Sequence, residues 1–219
     1  MSCVSKMKKV TSGFLITVEG IDGSGKSVFS KALHQALKTC GYDAVLTREP
    51  GGTPLGDRIR ELLFDTQTPP THKAEFLLFS ASRAQHVETF IAPAIDAGSI
   101  VISDRMADSS LVYQGYLRGL SLDMIKQVNA WALGSVQPLH TLYLKVDAQT
   151  ALKRITHRNH ALSTFEDDIA KLEKAIEGFE LLVAHRPEVI VLDATQTTDT
   201  LVQDALAALQ TALSAHTHE

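Results

Sequence analysis

The chain has 219 residues, 44% of them hydrophobic, and a formal net charge of −4 from 21 Lys and Arg against 25 Asp and Glu. That length supports one good core more easily than two, and the mild acidity excludes the broad basic field of a protein that coats nucleic acid. The two cysteines, Cys3 and Cys40, imply neither a disulfide framework nor a metal site, and no run of about 18 apolar residues suggests a membrane span.

Residues 1–12 read as a flexible tail. Lys6, Lys8 and Lys9 stand there, but no apolar stretch of signal-peptide length follows, so a cytoplasmic location without a membrane partner is expected. The apolar, β-prone run 14–19 is the first strand. It delivers Gly20-Ile21-Asp22-Gly23-Ser24-Gly25-Lys26-Ser27, which has the spacing G-x-x-x-x-G-K-[ST] of a phosphate-cradling loop. Val28, Ala32, Ala36 and Thr39 then recur at helical spacing and predict a helix over 28–39. In that strand–loop–helix context the glycines admit phosphates to the backbone, and the helix start presents free N–H groups and the positive end of its dipole. Lys26 supplies a mobile cation, and the Ser27 hydroxyl is a ligand for Mg²⁺. The loop is expected to hold a nucleoside triphosphate, which leaves GTPases, ATPases and small-molecule kinases open.

Gly41 closes the first helix and a second strand follows over 43–47. It runs into Arg48-Glu49-Pro50-Gly51-Gly52-Thr53, with Thr53 as N-cap and Pro54 as first residue of a helix over 54–64. At the carboxyl end of a strand this loop is either part of a ligand crevice or an ordinary surface turn. A long helix over 73–91 is predicted from Phe76, Leu77, Phe79, Ala84, Val87 and Phe90. Phe79 and Arg83 stand four apart on one face. They are either a ring and a guanidinium for a planar base and its carbonyl, or a core residue and a solvated charge. The third strand, 99–103, ends in Asp104-Arg105, where Asp104 is suited to orienting hydrated Mg²⁺ and Arg105 to meeting an acceptor phosphate. The helix predicted over 106–117 carries Ser109, Ser110, Tyr113 and Gln114, a lined pocket or a solvated face.

Ser121 caps a helix over 122–133 that Gly134 stops. A fourth strand, 141–146, leads through Asp147 into a helix over 148–156, and the polar, aperiodic stretch 157–164 reads as a mobile lid with Arg154 and Arg158 as its cations. His157 and His160 lack partners with a metal-ligand spacing. A helix over 165–184, a fifth strand over 189–192 ending at Asp193-Ala194-Thr195-Gln196, and a helix over 198–215 complete the chain. Five strands alternating with helices predict an α/β fold, a doubly wound parallel sheet with right-handed crossovers and ligands at its carboxyl edge.

The phosphate loop with Glu19, Arg48-Glu49-Pro50-Gly51-Gly52-Thr53, Phe79 with Arg83, Asp104-Arg105 through Ser109 to Tyr113-Gln114, and Asp193-Ala194-Thr195-Gln196 occur together and in order. From about Phe14 onwards the sequence resembles the bacterial thymidylate kinases, a family of P-loop nucleoside monophosphate kinases. The resemblance implies one domain over 1–219, a five-stranded parallel sheet flanked by helices on both faces, and a lid over about 154–166. It also implies ATP-dependent phosphorylation of dTMP to dTDP by direct in-line transfer, Mg²⁺ as cofactor, no nucleic-acid partner, and a homodimer. For ATP it implies Gly20, Ile21, Asp22, Gly23, Ser24, Gly25, Lys26, Ser27, Arg154 and Gln196. For dTMP it implies Asp22 near the sugar and its phosphate, Arg48 and Arg105 on that phosphate, Pro50 beside them, Phe79 stacked on thymine and Arg83 facing its carbonyl. Ser109, Ser110, Tyr113 and Gln114 complete the pocket. Ser27 and Asp104 are the expected metal ligands, and Lys26, Asp22, Arg105 and Arg158 the expected catalytic set.

Two departures qualify the resemblance. Gly23 stands where one subclass carries an arginine, so the matching cation must come from the lid. Yet Ser163-Thr164 replaces the Asp-Arg pair often found before Glu166, which leaves the choice between Arg154 and Arg158 open. A regulatory GTPase would share the phosphate loop, but no Asn-Lys-x-Asp guanine-reading motif is present. A kinase for another nucleoside monophosphate or for a deoxynucleoside would share fold and mechanism.

Overall fold

Every residue of strand β1 (Phe14–Glu19) is buried, as a central strand covered on both faces must be. The computed structural model describes residues 12–157 and 168–216, so residues 1–11, most of the expected lid with Arg158, and the start of the helix after it lie outside the described residues. Along the chain β1 is followed by α1 (Lys26–Thr39), β2 (Ala44–Arg48), α2 (Pro54–Leu63), α3 (His72–His86), α4 (Ala92–Asp96), β3 (Ile100–Asp104), α5 (Ala107–Ser110), α6 (Leu122–Leu133), β4 (Pro138–Lys145), α7 (Ala148–Thr156), α8 (Ile169–Val183), β5 (Val189–Asp193) and α9 (Thr198–Ala215). The strands form one sheet in the order β2-β3-β1-β4-β5, and every neighbouring pair is parallel.

Alternation along β1 divides the core. Phe14, Ile16 and Val18 join Phe29, Leu33 and Leu37 of α1 and Leu201, Ala205 and Leu209 of α9 on one face, while Leu15 packs with Val101, Val87 and Ile91 on the other. The α1 stripe therefore differs from the expected one. The side turned inward is Phe29–Leu33–Leu37, the larger apolar row, and Val28 is 54% exposed.

Most helix starts follow their caps. The side chains of Thr53, Thr71, Ser121, Asp147, Asp168 and Thr197 accept from backbone amides at the starts of α2, α3, α6, α7, α8 and α9. α1 starts without a side-chain cap, behind Gly25 at φ 94°, and the Val28 and Phe29 amides donate to the Gly25 carbonyl at 3.1 and 3.0 Å.

Two helical stretches are not purely α. Val87–Ile91 and Leu111–Leu117 are π-helical. The first lets the helix begun by α3 run on past its expected end at 91 into α4. Pro93 has no N–H for an ordinary backbone bond, and the wider turn before it absorbs the break in register. The second buries Val112, Tyr113, Gln114 and Gly115 together.

Candidate active site

The phosphate loop joins β1 to α1 at the carboxyl edge of the sheet. Gly23 has φ 79°, and a Cβ there would run into the Ala151 carbonyl of α7, so an arginine at this position would need both the loop and α7 to move. Gly25 has open space around it. Ser27 Oγ donates to Asp104 Oδ2 at 2.6 Å. Lys26 is buried, donates from Nζ to the Ile21 carbonyl at 2.7 Å, and lies 4.0 Å from Asp22 Oδ1. Burial and the nearby Arg105 guanidinium push its pKa down to about 8.

Arg105 follows β3 in a left-handed conformation, φ 72°, which costs a non-glycine residue free energy unless its surroundings impose it. Its N–H donates to the Val18 carbonyl at 3.0 Å, and its own carbonyl accepts from Ser103 Oγ at 2.7 Å. The guanidinium donates to the Asp22 carboxylate, to Ser109 Oγ at 3.0 Å and to the Gly20 carbonyl at 3.3 Å, and it lies 5.2 Å from the centre of the Tyr113 ring. Glu19 fastens the next residues: Oε1 accepts from the Met106 and Ser109 amides at 2.8 and 3.3 Å, and Oε2 from Ser109 Oγ at 2.6 Å. Burial, then Asp108, raises the Glu19 pKa to about 7.

A cavity of about 280 Å³ opens beside these groups. Asp22, Arg48, Pro50, Phe79, Arg83, Arg105, Ser109, Ser110, Tyr113 and Gln114, all expected around dTMP, line it together with Lys26, Ser27 and Asp104. The two readings of Phe79 and Arg83 separate here. Phe79 lines the cavity, and Arg83 is no solvated charge, being 1% exposed. Its Nε donates to Glu49 Oε2 at 2.8 Å, Nη1 to Asn129 Oδ1 at 2.6 Å, and Nη2 to the Met106 carbonyl and Ser110 Oγ at 3.2 Å each. Glu49 also faces His86 Nδ1 at 3.3 Å, and its peptide bond to Pro50 is cis. Arg48 stands at the exposed rim, 3.6 Å from Asp57.

A second cavity, about 380 Å³, lies on the other side of the loop, lined by Ser24, Gly25, Val28, Arg154, Gln196 and Thr198 among others. Val28 is exposed because it faces this space. Arg154 donates to the Ala194 carbonyl at 2.8 Å and to the Ser24 carbonyl at 3.4 Å, so of the two lid cations it belongs to this side of the loop. Gly25 borders both cavities. Ile21 and Gly20 border neither and contribute carbonyls, to Lys26 and Arg105.

Sequence reasoning missed several residues of the site. Arg60 and Phe64 line the first cavity, with the guanidinium 4.8 Å from the ring centre and Nη1 donating to the Pro50 carbonyl at 3.0 Å. Their i, i+4 spacing is the signal that singled out Phe79 and Arg83. Glu19 ends a strand at the ligand edge, as Asp104 does.

The oxygen pair of Ser27 and Asp104 fits Mg²⁺, which takes few protein ligands and keeps waters and phosphates for the rest. Among the described residues no group of three His, Cys, Asp or Glu is arranged as a metal cage, and no helix is long and apolar enough to cross a membrane.

Two cavities meeting at one phosphate loop, the first ringed by arginines, define a P-loop kinase that acts on a small phosphorylated acceptor. Residues 18–205 match the family model described as thymidylate kinase, and the chain belongs to that family. It is 41% identical over 197 residues to the thymidylate kinase of Exiguobacterium sp., covering 89% of this chain and 93% of that protein. With the Deinococcus radiodurans thymidylate kinase it shares 39% over 201 residues, 91% and 98% of the two chains. With that of Halothermothrix orenii it shares 49% over 142 residues, 65% and 69%.

Proposed function

We propose that this chain transfers the γ-phosphoryl group of ATP to dTMP across the loop that separates its two cavities. ATP-dependent phosphorylation of dTMP to dTDP is the reaction of the family to which the chain belongs. The observation that carries the site assignment is the shared border at Gly25: a triphosphate entering from the Arg154–Gln196 side ends beside Lys26, where the arginine-ringed cavity begins.

The acceptor sits in the larger group of arginines, with its base between Phe79 and Arg83 and its phosphate toward Arg105 and Arg48. Phosphoryl transfer needs alignment and charge neutralisation rather than a protein nucleophile. The uncapped start of α1 and Lys26 hold the donor phosphates, and Arg105, already committed to Asp22 and Ser109, is oriented before either substrate arrives. Asp22 keeps the acceptor-side cation in place, and Arg158 is the cation brought by the lid. Ser27 and Asp104 would hold Mg²⁺, which when bound neutralises charge on the phosphate oxygens. Each chain is one kinase unit and works as half of a homodimer in the cytoplasm. Leu77 of α3 and Trp131 of α6, 60% and 84% exposed, are apolar side chains on two mutually packed helices that a second copy would cover.

Incubation with ATP, Mg²⁺ and dTMP should yield dTDP and ADP one for one, read by ³¹P NMR. Steady release of free phosphate from ATP or GTP without an acceptor would instead make the chain a nucleotide hydrolase.

A further inference from the structure

One wall of the acceptor cavity has its polarity set from behind. Gln114 lines the cavity, and its Nε2 donates to Glu75 Oε1 at 2.8 Å. Glu75, on the first turn of α3, is only 7% exposed and is not itself a lining residue. Its other oxygen faces Arg118 Nη2 at 3.4 Å. The side of the Gln114 amide that turns to Glu75 is thus its nitrogen, the donor end, and the Glu75 oxygen accepts. A free glutamine can rotate its amide and show a ligand either a donor or an acceptor. Gln114, held in this way, has Oε1 to offer.

The same cavity presents the opposite polarity through Arg83. Its donors are spoken for by Glu49, Asn129, Met106 and Ser110, and those four bonds leave one of its five N–H groups, on Nη1, while a guanidinium accepts nothing. A base set between Gln114 and Arg83 therefore meets an acceptor and a donor in fixed places. Thymine and uracil carry an N3–H and a 4-oxo group, which match. Cytosine carries an unprotonated N3 and a 4-amino group, which oppose both.

We infer that Glu75 is a specificity-determining positioning residue: by fixing the Gln114 amide it makes the acceptor site select 4-oxo, N3–H pyrimidines over 4-amino pyrimidines. The inference rests on the reading that a pyrimidine base occupies this cavity. Glu75 touches no substrate. It acts by denying Gln114 the rotation that would satisfy cytosine N3, since a buried polar group left unpaired is costly and rejects the wrong ligand.

The test is kcat/KM for dTMP and dCMP in wild type, in Glu75→Gln, and in the double variant E75Q/Q114E. Glu75→Gln keeps the shape but allows the partner amide to turn. The dTMP-to-dCMP ratio should fall at least about tenfold, mainly through a lower KM for dCMP, with the KM for ATP unchanged. The double variant hands the carboxylate to position 114, where it accepts from N3–H without needing to be oriented, and should restore the preference. Equal losses for both monophosphates in Glu75→Gln, or no recovery in the double variant, would overturn the inference by showing a merely structural role. If Glu75→Gln is too unstable to assay, Glu75→Met, which likewise removes the carboxylate, takes its place with the same expected fall in the ratio. A wild type that leaves dTMP untouched would instead overturn the parent reading.

Discussion

Ser27 Oγ and Asp104 Oδ2, separated by 77 positions in the chain, meet at 2.6 Å and tie the start of α1 to the end of β3. Two hard oxygen ligands, one on the first turn of α1 and one at the end of β3, suit one divalent cation shared with phosphates. Ser27→Ala and Asp104→Asn should each raise the Mg²⁺ concentration needed for half-maximal turnover by at least about tenfold. They should leave dTMP binding in the absence of metal nearly unchanged. An unaltered Mg²⁺ titration in both variants would move the cation elsewhere.

Lys26 provides a pH signature. Its pKa of about 8, lowered by burial and by Arg105, means that the free enzyme loses this cation as pH rises through that value. Because kcat/KM reports groups of the free enzyme, kcat/KM for ATP should fall above about pH 8. Bound triphosphate favours the charged amine, so kcat should fall at higher pH. Lys26→Arg should remove the limb, and Lys26→Ala should cost about 10²–10³ in turnover, as loss of one preorganised donor does. A flat kcat/KM profile from pH 7 to beyond 9 would exclude Lys26 from this role.

Glu19 makes a stability prediction. Its carboxyl holds a proton in the folded state up to about pH 7, against 4.5 when exposed. The folded protein therefore binds more protons than the unfolded chain between those values. The contribution of this group is fully present below about pH 4.5 and is lost as pH rises through about 7. Glu19→Gln, which keeps an acceptor for the Met106 and Ser109 amides, should match wild type in Tm near pH 5 and exceed it by several degrees near pH 8, corresponding to on the order of 2–3 kcal/mol. A difference in Tm that does not grow with pH would show that Glu19 is not the buried acid.

Much of this architecture is written in local signals. α7 and α9 keep the bounds expected for them, 148–156 and 198–215, because the caps at Asp147 and Thr197 and the apolar stripes act within one turn. The phosphate loop is equally local. What could not be read depends on partners distant in sequence. The spacing of Phe79 and Arg83 leaves a base-facing guanidinium and a solvated charge both open until Glu49 and Asn129 close around Arg83. Glu75 shows no sign of its role without Gln114 beside it. The π-helical turns at 87–91 and 111–117 leave no mark in an apolar pattern read at 3.6 residues per turn, and the choice of the Phe29 row over the Val28 row of α1 is made by the sheet it packs on and the cavity it borders.

Whether the arginine-ringed cavity receives dTMP is read from steady-state ADP release with saturating ATP and Mg²⁺ across a panel of acceptors. kcat/KM should be highest for dTMP, with dUMP lower by about 10–200-fold for its missing methyl group and dCMP, dGMP and AMP lower still. Equal or faster ADP release with dCMP, dGMP or AMP than with dTMP would contradict it.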